Sequence, residues 1–166
     1  MKSTGVVRRI DELGRIVIPK EIRNNLNIRE GESLEIFVDN NSLIMQKFSK
    51  IYSMQDTLNV IIKYISESFN ININLYDRDK LLLYTSEELG KLLFIKEFND
   101  MISTRKDMIF DVTIDNNIHK IYSKPLIISS DVIGILVLEI NDNLEEIMKV
   151  ANFLNSIIVK KINIWQ

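Results

Sequence analysis

Between residues 8 and 19 the chain reads Arg8-Arg9-Ile10-Asp11-Glu12-Leu13-Gly14-Arg15-Ile16-Val17-Ile18-Pro19, so three arginines gather around an acidic turn before an apolar run closed by proline. A guanidinium stays charged under all ordinary conditions, and its planar fork can grip a phosphate bidentately or reach the edge of a guanine. The chemistry on offer is anion binding. Charge along the chain agrees with this: residues 1–29 hold seven basic side chains against three acidic ones, whereas residues 51–166 hold twelve against sixteen. The net charge of -2 conceals that asymmetry, which points to a polyanion-binding segment attached to something else.

Other chemistries find little support. With no cysteine there is no disulfide, thiol nucleophile or zinc-thiolate site. The single histidine, His119, lies in a β-prone run near Asp115 and Ser123, but no nucleophile-elbow pattern accompanies it, and a lone strand histidine reads as a packing or surface residue. No G-x-G-x-x-G or Walker pattern is present, and Asp77, Asp79, Asp107 and Asp111 lack EF-hand spacing. The expectation is therefore a protein with no catalytic set, no metal and no cofactor. No apolar run reaches the ~18 residues of a membrane span and the N-terminus lacks a signal-like apolar middle, so a cytoplasmic location without membrane partners is expected.

The elements that must position the arginines follow from periodicity and turn chemistry. Residues 4–10 and 15–18 are β-prone runs joined by Asp11-Glu12-Leu13-Gly14, a hairpin whose glycine supplies a positive φ. Pro19 suits a helix start, and Lys20 to Leu26 continue for one or two turns, with Ile22 and Leu26 on one side and Lys20, Arg23 and Asn24 on the other. A turn at Arg29-Glu30-Gly31-Glu32 leads to strands over 33–38 and 43–48 around Asp39-Asn40-Asn41-Ser42. These fifty residues are too few to bury their own apolar strand faces, because domains below ~60 residues are marginal on surface-to-volume grounds. An obligate dimer is predicted.

After Lys50 the pattern changes. Residues 51–69 read as a helix with Ser53 as cap, 71–84 as a hairpin about Asp77-Arg78-Asp79, and 87–104 as a helix burying Leu89, Leu92, Leu93 and Phe98. Strands are expected over 108–114, 119–128 and 132–140, with Pro125 marking an edge or bulge. A last helix starts at Asp142, with Glu145 completing a capping box, and carries an apolar stripe from Leu144 to Ile162. The fold class is α+β: a first domain over 1–50, and over 51–166 a second with one antiparallel sheet flanked by helices.

The stretch STGVVRRIDELGRIVIPKEIR followed by LEIFVD resembles the swapped-hairpin DNA-binding domain of the AbrB family of bacterial transition-state regulators. Lys124-Pro125-Leu126 followed by Val132 to Leu138 is similar to the closing strands of GAF domains. The resemblance implies that two chains interleave their hairpins into one small barrel. It also implies that arginines from the turn and helix regions of both chains form one surface facing double-stranded DNA. By matching position it assigns that contact to Arg8, Arg9, Arg15 and Arg23, with Lys20 as a supporting phosphate contact. The pattern departs at Asn24, where many members are basic, which implies weaker binding or a different preferred sequence.

Asp11 and Glu12 are placed to hold the arginines through local ion pairs. The apolar helices of the second half, down to Ile164-Trp165, predict pairing with another chain and hence a tetramer. The function expected is a transition-state or sporulation-type transcription regulator, with 51–166 as a GAF-like domain for oligomerisation and for sensing an unidentified small ligand. An antitoxin-like interaction module on the same barrel is the alternative; it would carry a short extended tail instead of a folded second half. An enzyme confined to residues 51–166 is a further rival that no constellation supports.

Overall fold

The computed structural model describes residues 4–26, 28, 30–77, 80–92, 95–141 and 143–164. Arg29, Arg78, Asp79, Leu93, Asp142 and Trp165, to which the sequence assigns turn, core, cap or interface roles, lie outside them. The chain divides into two compact units, Met1–Phe48 and Ser49–Gln166.

In the first unit the regular elements are α1 (Lys20–Asn25), β1 (Leu34–Asp39) and β2 (Ser42–Lys47). The two strands pair antiparallel from Leu34↔Lys47 to Asp39↔Ser42, with Asn40 at φ +50° in the connecting turn. Asparagine tolerates that left-handed backbone because its short polar side chain bonds locally. Residues 4–10 and 15–18, expected as paired strands, form no ladder within the chain. The physical reason is visible in their surroundings. None of the described residues of this unit is buried, and Val7, Leu13, Val17 and Val38 are 74–84% exposed. Two β-prone runs joined by a tight turn are marginal in water unless a further apolar surface covers them. Each such side chain left in water forgoes roughly 1.5–3 kcal/mol of burial.

The second unit has its own core. After a 3-10 turn at Tyr52–Met54 come α2 (Gln55–Phe69), β3 (Ile73–Asp77), β4 (Leu81–Tyr84), α3 (Glu87–Gly90), α4 (Lys96–Thr104), β5 (Met108–Ile114), β6 (Asn117–Ile128), β7 (Asp131–Glu139) and α5 (Leu144–Ile164). The strands form one sheet in the order β4-β3-β7-β6-β5, antiparallel throughout. Helices cover both faces. Leu58, Ile62 and Ile65 of α2 and Ile147, Val150, Ala151, Leu154, Ile158 and Ile162 of α5 pack on one face with Ile73, Leu75, Leu136 and Leu138. Leu89 of α3 and Phe98 and Met101 of α4 pack on the other with Tyr76, Ile121, Ile135 and Val137. Burial on both sides explains why Val132 to Leu138 is nearly continuously apolar instead of alternating.

Local chemistry sets the connections. Asp115-Asn116 and Ser129-Ser130 each hold two consecutive positive-φ residues, the geometry of a two-residue primed turn, and these close β5–β6 and β6–β7. Pro125 lies where β6 runs past the end of β5, one residue from the register shift at Leu126/Ile127. Gly134 has no substitute: a β-carbon there would lie 2.4 Å from Ile51 Cδ1 and 2.6 Å from the Tyr76 carbonyl oxygen. That close approach seats Ile51, near the start of the second unit, against the sheet.

Two expectations are corrected. The segment 87–104 is two helices, α3 capped by Ser86, whose Oγ accepts from Leu89 N, and α4 after a break. The break follows Gly90, which packs so tightly on the Tyr84 ring that a β-carbon would come within 2.9 Å of it. Ser53 does not cap α2: its hydroxyl donates to Lys50 O, and Ser49 Oγ accepts from Tyr52 N instead. The cap of α5 is Asn143, whose Oδ1 accepts from the backbone N–H of Glu145 and Glu146.

Candidate nucleic-acid interface

The turn that carries the arginines is built by Asp11. Its backbone N–H donates to Arg15 O (3.0 Å) and its carbonyl accepts from Gly14 N (2.9 Å). Its side chain closes the same loop, with Oδ1 accepting from the N–H of Leu13 (3.0 Å) and Arg15 (2.7 Å). Gly14 sits at φ +75°, where a side chain would be strained. The remaining carboxylate oxygen, Oδ2, accepts from Arg15 Nε at 2.8 Å. One aspartate therefore shapes the turn and aims the guanidinium.

The Arg15 backbone N–H, then the Arg15 guanidinium, holds the Asp11 carboxyl below the usual carboxylate range. With the folded pKa lowered from 3.8, this contribution is present above pH 3.8 and is lost only as pH falls through the depressed value. The contact spends one guanidinium edge and leaves Arg15 largely in solvent, with 71% of its side chain exposed.

Arg8, Arg9 and Lys20 are exposed as well, and Arg8 Nη1 donates to Val7 O at 3.0 Å. Arg23 differs. It is half-buried on α1, and its Nε is enclosed with no acceptor among the described residues. The sequence placed Arg23 with Lys20 and Asn24 on a purely polar face; in the fold Arg23 shares the sheltered side with Ile22, while Leu26 is exposed. An enclosed guanidinium nitrogen is normally satisfied, and no described residue supplies an acceptor for Arg23 Nε. Asn24 is exposed beside it.

In the second unit no group of three His, Cys, Asp or Glu among the described residues could hold a metal ion, and no described helix is long and apolar enough to cross a membrane. His119, expected as a packing or surface residue, stands between two carboxylates, Glu139 and Glu88. No signal local to position 119 could have shown this, because both partners come from distant elements.

Residues 7–50 match the family described as Antidote-toxin recognition MazE, bacterial antitoxin, which places the first unit in the class of MazE- and AbrB-type domains. Across its length the chain is 34% identical over 151 residues to stage V sporulation protein T of Bacillus subtilis (strain 168), covering 83% of this chain and 84% of that protein. The chain belongs to the family of stage V sporulation protein T. Transition state regulatory protein AbrB of the same organism is 51% identical over 57 residues, which are 34% of this chain and 59% of AbrB. The solution structure of the N-terminal DNA recognition domain of AbrB is 55% identical, covers 30% of this chain and 92% of that domain, and superimposes with a TM-score of 0.26.

Proposed function

We propose that the protein is a cytoplasmic DNA-binding transcription regulator of the transition-state or sporulation type, and not an enzyme. Its domain over residues 1–50 binds duplex DNA as an intertwined swapped-hairpin dimer. Arg8, Arg9, Arg15, Lys20 and Arg23 of both chains form the contact surface. The observation that carries this reading is a first unit with no buried residue among those described, in which the cations of residues 1–29 flank a hydrogen-bonded turn and large apolar side chains stand in water. A second copy laid against it would bury those apolar faces and bring two sets of cations together. The enclosed Arg23 Nε supports the same reading, since DNA or a partner chain can supply its acceptor.

The domain over 51–166 is read as GAF-like, setting oligomeric state and sensing a small molecule. Exposed Val60 and Tyr64 on α2 and Met148 and Phe153 on α5 support its pairing with another chain to complete a tetramer. The antitoxin reading is set aside because it requires an extended tail, whereas residues 49–166 form a compact unit with its own core.

The test is DNA affinity at low salt by fluorescence anisotropy. Arg15→Ala is expected to weaken binding by about 1–3 kcal/mol if the guanidinium reads a base edge. Unchanged affinity in that variant would remove Arg15 from the surface, and no binding by the parent chain would remove the function.

A further inference from the structure

His119 is the only histidine of the chain, and 11% of its side chain is exposed. Its Nδ1 is hydrogen-bonded to Glu139 Oε1 on β7 at 2.6 Å, whereas its enclosed Nε2 lies 3.3 Å from Glu88 Oε1 on α3, at ion-pair distance but without hydrogen-bond alignment. We propose that His119 is a proton-operated clasp that fastens α3 to the central sheet of the second unit, so that the attachment of α3 depends on pH.

The geometry requires two ring protons to be favourable. A neutral imidazole carries one N–H, which leaves the other nitrogen's lone pair facing a carboxylate oxygen. The two carboxylates are not equivalent. Glu139 is a fixed post: 16% of its side chain is exposed, and its other oxygen accepts from Asn72 Nδ2 at 2.7 Å. Glu88 is the movable partner: 43% of its side chain is exposed, it rides on a four-residue helix, and its remaining tie is the Asn117 Nδ2 donor at 3.1 Å. When the ring loses a proton, the hydrogen toward Glu139 stays and the one toward Glu88 departs to solvent. Repulsion between the Nε2 lone pair and the Glu88 carboxylate then opens the clasp.

The surroundings do not offset this. Opposite His119 on β5 stands Val112, which is apolar. Lys91, just after α3, feels Glu88 and Glu87 but is itself paired with Asp115. The charges that act on the ring are the Glu139 and Glu88 carboxylates, which together raise the His119 pKa above 6.5 against the opposing effect of burial. A raised folded-state pKa means the clasp contributes fully below pH 6.5 and is lost as pH rises through the folded value.

What the clasp steadies lies beneath α3. There the Leu89 and Leu92 carbonyls accept from Asn74 Nδ2 and Tyr76 Oη, each at 2.8 Å, over the second apolar cluster. These moorings stay in place at neutral pH, since burial raises the Tyr76 pKa further above 10.0. The titratable rim of α3 therefore moves over a fixed base.

With one histidine, imidazole NMR of the full-length chain reads the clasp directly. The expected midpoint lies above 6.5, and Glu88→Gln lowers it. Amide protection at Leu89 and Gly90, corrected for intrinsic exchange, should fall as pH passes the midpoint, by up to about tenfold for each unit the midpoint exceeds 6.5. The same fall should be missing in His119→Gln. A midpoint at or below 6.5, or α3 protection that is constant across the midpoint in the parent chain, would overturn the proposal.

Discussion

Raising salt from about 50 to about 200 mM is expected to weaken the hold of this protein on duplex DNA by about 10³- to 10⁵-fold, the loss that accompanies six to ten phosphate contacts. The count is that of the proposed contact surface. Each chain offers Arg8, Arg9, Arg15, Lys20 and Arg23, and two chains double the set. Each phosphate neutralised by one of these groups releases condensed counterions, so the logarithm of affinity falls by roughly 0.9 per phosphate for each tenfold rise in salt. Local charge governs this behaviour, and the net charge of -2 does not oppose it, because charges more than about 8–10 Å away are largely screened at physiological salt. If Arg15 contacts a phosphate, its removal should flatten the slope by roughly 0.9 for each chain bound. A slope so shallow that it amounts to only one or two phosphates would mean that the basic unit does not act as a pair.

Phe98→Ala is expected to destabilise the second unit by about 3–5 kcal/mol, as loss of a fully buried aromatic ring does. Phe98 is 0% exposed, its ring centroid is 5.0 Å from that of Tyr76 and 6.3 Å from that of Phe110, and it ties α4 to the sheet. The cavity cannot collapse easily, because Tyr76 is held by its hydrogen bond to the Leu92 carbonyl. Urea unfolding followed by tyrosine fluorescence would read the loss. A cost under about 1 kcal/mol would show that α4 is not part of the cooperative core.

The second unit was largely legible because its elements carry their own signals. The apolar stripe of α5 and Pro125 at the bulge of β6 read directly from residue type. The misses share a cause. The helix break after Gly90 depends on the Tyr84 ring, a tertiary neighbour. The choice of Ser49 over Ser53 as the acceptor at the start of the second unit turns on the backbone's exact entry angle, which spacing does not encode.

In the first unit the situation is reversed. The turn at Asp11 to Gly14 was legible because an aspartate and a glycine suffice to build it. The strands on either side were β-prone in sequence but lack a ladder within one chain. The arginines were picked out by resemblance, and by residue type and charge asymmetry. That Asp11 organises Arg15 through three separate bonds needed coordinates.

Amide hydrogen exchange over residues 4–10 and 15–18 of the full-length protein tests most directly whether a second chain completes the basic unit. Those runs form no strand ladder within a single chain, and Val6 and Arg15 have local side-chain acceptors for their amides, so strong protection at the positions between and beyond them is expected from another copy. The account predicts exchange slowed by at least about 100-fold at the amides of Val7, Arg9, Ile16 and Val17. Exchange at the rate of an unstructured peptide at those positions would contradict it.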